Sequence, residues 1–222
     1  MALSDLSPSA QNYLKIMWSL GEWSDEPVTA SLLASRTGFR ISSVSGAVSK
    51  LAEQGLVNHA PYGAISLTDA GRAHALQMIR RHRLIETFLV EVLGYRWDEV
   101  HDEAEDLEHA VSDLLISRID DHLGHPTRDP HGDPIPGPDG SMEKSEATSL
   151  EAAPEGATVI IERISDDDPE LLRFLSSQGV DVGTRLTVGA SSPYSGSLLL
   201  CLGDKELPLA PTAAAEIWVR EA

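Results

Sequence analysis

The chain has 222 residues, of which 41% are apolar and 23% charged, with a net charge of −18. That is the composition of a globular protein of one or two domains. The one cysteine, Cys201, excludes an internal disulfide and suits a reducing, cytoplasmic setting; the longest apolar run, Leu198 to Leu202, is too short for a bilayer, and the N-terminus lacks the basic flank and apolar core of a signal peptide.

The acidity is unevenly spread. Residues 1–83 carry eight Lys and Arg against six Asp and Glu, a net +2, while residues 84–222 hold the other nine basic and 29 acidic residues, a net −20. Local charge governs phosphate contact, so nucleic acid stays open as a partner for the N-terminal third.

In chain order, a helix is expected to start at Ser7-Pro8, carry Leu14, Ile16, Met17 and Leu20, and stop at Gly21. A second runs from Val28 to Ser35, with Thr29 as a cap and Gly38 as the stop. A third runs from Ser42 to Gln54, with Val44, Val48 and Leu51 on one face. Leu56 to Leu67 has the pattern of a hairpin turning at Pro61-Tyr62-Gly63. Helix, turn, helix and then a β-hairpin is the order of a winged helix-turn-helix.

In that arrangement the third helix reads DNA. Its outward residues Ser42, Ser43, Ser45, Gly46, Ser49 and Lys50 are mostly small and hydroxylated, which allows close approach to the major groove. Arg36, Arg40 and Lys50 suit phosphate contact, and His59 and Tyr62 are candidates on the wing.

Residues 72–124 have the pattern of two long helices, and the second carries the strongest chemical signal. On a continuous helix His101, Glu105, Glu108 and His109 share an arc of about 100°. The two carboxylates repel each other unless a cation lies among them. The preceding helix offers His82 and Glu86, also four apart, and two facing His/Glu helices can hold a metal. A solvated acidic face is the competing explanation. Leu107, Val111, Leu114, Leu115, Ile119 and Leu123 continue the second helix as a packing surface.

Residues 125–157 are rich in Pro, Gly, Asp and Ser. Beyond them the pattern predicts a strand at Thr158–Ile164, a helix at Pro169–Gln178, and strands near Thr184–Val188, Ser197–Leu202 and Ile217–Val219.

The segments Arg81-His82-Arg83-Leu84-Ile85-Glu86, Val100-His101-Asp102-Glu103-Ala104-Glu105-Asp106-Leu107-Glu108-His109 and Pro130-His131-Gly132-Asp133-Pro134-Ile135-Pro136 together resemble the DtxR family of metal-dependent repressors, and its three-domain manganese-sensing branch above all. The resemblance covers nearly the whole chain. It implies a mainly α protein with small β parts: a winged helix-turn-helix domain (1–75), a helical metal-binding and dimerisation domain (76–140), a linker (141–157) and an SH3-like β-barrel (158–222). It implies a primary metal site at Asn12, Glu105, Glu108 and His109. The implied ancillary site has His82, Glu86 and His101, with Asp166 and Asp168 as donors from the third domain. Asp168 precedes Pro169, where it also makes a good helix cap.

Two positions depart from the iron-sensing pattern. Glu105 stands where those relatives place Cys, and the harder carboxylate suits Mn²⁺ over softer ions. Asn12 stands where the family has Asp or Met and offers only an amide oxygen. The expectation is a non-enzymatic repressor with two sites for Mn²⁺, or alternatively Fe²⁺, per subunit, binding palindromic operator DNA as a homodimer. A metallohydrolase using the same cluster and a metal-independent winged-helix regulator are the rivals.

Overall fold

The first two α-helices start where a side-chain hydroxyl caps them. In the computed structural model, which describes residues 2–24, 26–59, 63–143, 145–190 and 196–222, α1 (Pro8–Glu22) opens with Ser7 accepting the Ala10 amide and Pro8 at the first helical position. Helix α2 (Ala30–Thr37) opens with Thr29 accepting the Leu32 amide and closes at Gly38, whose φ of +69° is left-handed. Helix α3 (Ile41–Glu53) buries Val44, Val48 and Leu51 at helical spacing. Strands β1 (Val57–His59) and β2 (Ile65–Leu67) pair antiparallel as the wing. The expected turn at Pro61-Tyr62 lies outside the described residues.

Leu14, Leu33, Val44 and Val48 are sealed from solvent in the core of this module, with Leu51 and Leu56 beside them. Helix α4 (Asp69–Glu91) follows the wing. Its start is tied down by Thr68, which donates through its hydroxyl to the Gly55 carbonyl and accepts the Gly71 amide. A β-carbon added at Gly71 would lie 1.9 Å from the Leu56 carbonyl oxygen, so glycine is required there by close backbone approach.

Two compact units result: Met1–His82 with Pro136–Met142, and Arg83–Ile135 with Glu143–Ala222. In the second, the rest of α4 packs with α5 (Val100–Leu107) and α6 (Asp113–Leu123) around Leu84, Ile85, Leu89, Val100, Ala104, Ile116 and Ile119. The long helix expected over residues 101–124 is therefore two. The break follows from Ser112, whose hydroxyl accepts the Leu115 amide and starts a new helix. Glu108 caps α5 while His109 sits in the turn that follows.

The same unit contains a six-stranded antiparallel sheet of order β3-β8-β4-β5-β6-β7. Its strands are β3 (Thr148–Ser149), β4 (Thr158–Ile164), β5 (Arg185–Gly189), β6 (Leu198–Leu202), β7 (Lys205–Leu209) and β8 (Ile217–Glu221). Alternate residues Val159 and Ile161, Leu186 and Val188, Leu207 and Leu209, and Ile217 and Val219 turn inward. Helices α7 (Pro169–Gln178) and α8 (Pro211–Ala214) complete it. The sheet starts upstream of Thr158: β3, which is too short and polar to show a strand pattern, pairs with β8 through Thr148 and Val219.

Gly71→Ala is expected to destabilise the first unit by about 1–3 kcal/mol, the range of an overpacked site, despite alanine's better helix propensity. Thermal unfolding checks this, and an unchanged or higher Tm would mean that the start of α4 does not depend on its close seat on Leu56.

Candidate metal centre

Glu86 projects from α4 into the second unit and is fully buried. His101, on the first turn of α5, places Nδ1 2.7 Å from Oδ2 of Asp166 and 3.7 Å from Oε1 of Glu86. Asp166 stands in the loop after β4, so three elements meet at one imidazole. Burial works to lower the pKa of His101, but the Asp166 and Glu86 carboxylates outweigh it and hold the value at about 11.

A second imidazole faces the same carboxylate. His131 is sealed from solvent, stacks on Trp97 and places Nδ1 4.0 Å from Oε2 of Glu86. Its Nε2 lies 2.8 Å from the Trp97 carbonyl, which can only accept, so the Nε2 proton is fixed there. Nδ1 then faces the Glu86 carboxylate and has no hydrogen-bond partner of its own among the described residues. A cation between them, proton or metal, would favour both groups. Burial would depress this histidine too, yet Glu86, then Asp129 and Asp166, hold it above the usual range. Asp129 completes the group: ligand atoms of Glu86, Asp129 and His131 all lie within 4.8 Å of one another. Burial first, then Asp133 and Glu86, push the Asp129 carboxyl well above the ordinary carboxylate range.

The loop that presents Asp129 and His131 is rigidly braced. Asp129 accepts the amides of His131 and Asp133 at 2.9 Å each. Arg83 donates to the Pro134 carbonyl and to Asp133, and Arg163 donates to Asp133 at 2.7 Å. Gly132 has φ +89°, and a β-carbon on it would meet the Glu162 carbonyl oxygen at 2.0 Å.

Of the other expected ligands, Glu105 and Glu108 bring carboxylate oxygens within 4.8 Å of each other. Glu108 is fully buried, and its Oε1 lies 3.5 Å from His109 Nε2. Asn12 and His82 belong to the other unit. The Asn12 Oδ1 is buried with no hydrogen-bond partner among the described residues, as an oxygen kept for a ligand would be. Asp168 takes the helix-cap role also read for it: it is exposed, and its Oδ1 accepts the Glu170 and Leu171 amides as the N-cap of α7. Sequence reasoning missed Asp129 and His131 as donors. They stand two apart in a loop, and the search followed the four-residue spacing of helices.

On α3, Ser42, Ser43, Ser49 and Lys50 are exposed, as are Arg36 and Arg40, while Ser45 is half-buried and its carbonyl accepts the Ser49 hydroxyl. His59 is half-buried on β1, and Tyr62 lies outside the described residues.

Three family models match in succession. The iron dependent repressor N-terminal DNA binding domain matches residues 5–65, the iron dependent repressor metal binding and dimerisation domain matches 68–137, and the FeoA domain matches 148–221. The chain is 32% identical to the iron-dependent repressor IdeR of Mycobacterium leprae (strain TN), over 99% of its own length and all of the relative's. Among solved structures it is similar to a manganese-dependent transcriptional repressor in complex with manganese, with 52% identity, a TM-score of 0.90 and coverage of 96% of this chain and 100% of that one. It is also similar to the manganese regulator SloR, at 30% identity and a TM-score of 0.81, covering 98% of this chain and 100% of that one.

The raised pKa of His101 has a definite sign. Its pairing supports the metal-free fold in full below the ordinary value of 6.5 and is lost only as pH rises through about 11. At neutral pH the metal-free imidazole is therefore protonated, and a metal ion must displace that proton in order to use it. Calorimetric Mn²⁺ titration at pH 7, in two buffers of different ionisation enthalpy, is expected to show release of about one proton on account of His101. The release should shrink in Asp166→Asn. An enthalpy independent of buffer would show that His101 is not protonated or not engaged.

Proposed function

The chain belongs to the DtxR family of metal-dependent transcriptional repressors, and on that premise we propose that it is a sensor of Mn²⁺, with Fe²⁺ as the alternative ion. The observation that carries this reading is the hard, all nitrogen and oxygen donor set around Glu86. Mn²⁺ lies at the weak end of the divalent affinity order, and a sensor favours it with carboxylate and imidazole rather than thiolate. Cys201, the one thiol, lies on β6 and belongs to none of these groups.

Two ion sites per subunit are proposed. The primary set is Asn12, Glu105, Glu108 and His109. The ancillary set is His82, Glu86, His101 and Asp166, to which Asp129 and His131 are added from their convergence on Glu86. A bound ion supplies the positive charge that cancels repulsion within each carboxylate group. Asn12 lies on α1 of the winged module, so an ion held there would restrain the helices that present DNA-reading residues. Metal and operator affinity are then reciprocally coupled, by about 1–3 kcal/mol in typical systems.

The partner is operator DNA in the cytoplasm. Ser42, Ser43, Ser45 and Ser49 would approach base edges, with Arg36, Arg40 and Lys50 on phosphates. Leu107, Leu114 and Leu115 of α5 and α6 are exposed apolar side chains, Leu114 to 68%, and support a homodimer through this face. A dimer sets two recognition helices about 34–36 Å apart on a palindrome. Family membership favours a regulator over a hydrolase: the relatives matched along their full length are repressors.

Gel retardation of the protein's own promoter fragment is expected with Mn²⁺ and abolished by EDTA, with sedimentation of the loaded protein giving a dimer. Equal retardation in EDTA would overturn metal dependence, and a monomer at micromolar protein would overturn the dimer. Glu105→Cys tests the ion preference. The softer ligand should reduce activation by Mn²⁺ while keeping or raising activation by Fe²⁺ or Co²⁺ under anaerobic conditions. A variant with the parent's metal ranking would remove Glu105 from the primary site.

A further inference from the structure

Lys15 lies on α1, three residues beyond Asn12, and is only 6% exposed, an unusual burial for a lysine. Among its contacts, the ammonium Nζ is 3.4 Å from Nδ1 of His82, which is also 6% exposed. Both residues belong to the same unit.

The chemistry of this pair is restrictive. An ammonium group has three donors and no acceptor, so Nδ1 must accept. The neutral ring then carries its single proton on Nε2, and its one basic lone pair is the one that Lys15 uses. A metal ion bound at Nδ1 takes that lone pair directly. A metal ion bound at Nε2 requires the ring proton to move to Nδ1, where it faces the ammonium donor to donor. Either way, the lysine contact and coordination of His82 exclude each other. At 3.4 Å the contact is at the long, weak end of hydrogen bonding, as a displaceable contact should be.

We propose that Lys15 is a built-in competitor for metal, a tethered cation that occupies His82 in the metal-free protein and must leave before His82 can ligate. The inference rests on the reading of His82 as a ligand. It gives Lys15 two effects: it raises the concentration of free metal at which the site fills, and it passes the event to α1 of the winged module, because the displaced side chain is anchored there.

The test combines ¹⁵N NMR of the His82 imidazole with Mn²⁺ calorimetry on the full-length protein. In the metal-free wild type, His82 is expected as the Nε2–H tautomer; finding the Nδ1–H form would overturn the proposal without any variant. Lys15→Met keeps the stem and removes the charge, and should bind Mn²⁺ about three- to tenfold more tightly, the scale of losing one weak hydrogen-bonded competitor. Lys15→Gln, a polar replacement should Met misfold, should tighten binding in the same direction. Unchanged or weaker affinity in a folded variant would overturn the competitor role. His82→Gln separates the premise from the inference. If it leaves Mn²⁺ binding unaltered, His82 is no ligand and the premise fails. If it weakens binding while Lys15→Met does not tighten it, only the inference fails. In the His82→Gln background, Lys15→Met should have no further effect. A tightening that persists there would mean that Lys15 acts as a remote charge and not through His82.

Discussion

Burying several carboxylates close together is the constraint around which the second unit is organised. Glu86 and Glu108 are sealed from solvent, and Asp129 is nearly so. Buried charges are expensive unless they are compensated, by protons taken up nearby or by cations. Without metal, protons do this work. His101 and His131 are held above their ordinary range by the carboxylates they face, and Asp129 is pushed up by burial and by its acidic neighbours. The site thus holds protons that a divalent ion, on the proposed function, would displace. Sensitivity to pH and sensitivity to metal are two aspects of the same electrostatic problem.

Such a site works only if its donors cannot relax apart. The loop from Asp129 to Ile135 has little regular structure, yet its backbone is held by Asp129 accepting two amides and by Arg83 and Arg163 converging on Asp133. Arg163 in turn stacks on Trp218 of β8, next to an irregularity in the pairing of β4 and β8. The six-stranded sheet therefore does more than lead into the loop of Asp166. Through Arg163 it braces the loop that aims His131 at Glu86. Positively charged side chains surround the site without entering it as ligands, and they offset part of the acidic charge while leaving the imidazole and carboxylate atoms available.

The winged unit solves a different problem. Its core is apolar and locally consistent, with caps at Ser7 and Thr29, left-handed glycines at helix ends, and buried residues at helical spacing on α3. Among the buried polar groups of this unit, two stand next to the proposed ligands. Asn12 keeps an oxygen without a partner among the described residues, and Lys15 is buried beside an imidazole. Both lie on α1, one turn apart. Such local departures are expected where a fold gives up stability for function.

Much of this was determined by the sequence alone. Ser7, Thr29 and Ser112 cap helices by bonds to amides two or three residues away, and the alternation of Val159 with Ile161 or Leu186 with Val188 announces strands one side chain at a time. These interactions act between near neighbours, so the order of residues is sufficient to specify them. The ordered motifs around His82, His101 and His131 likewise placed the chain in its family. What only the tertiary structure decided is which of those groups share a site. The helix ended at Leu107, which leaves His109 in the turn after it, a short polar β3 joined the sheet through β8, and Asp168 went to a helix cap while Asp166, two residues earlier, reached His101 across 65 positions of chain. Asp129 and His131 became partners of Glu86 although no periodicity connects a loop pair to a helix. Coordination depends on where lone pairs converge in space, and that convergence is set by long-range packing, which no local pattern encodes.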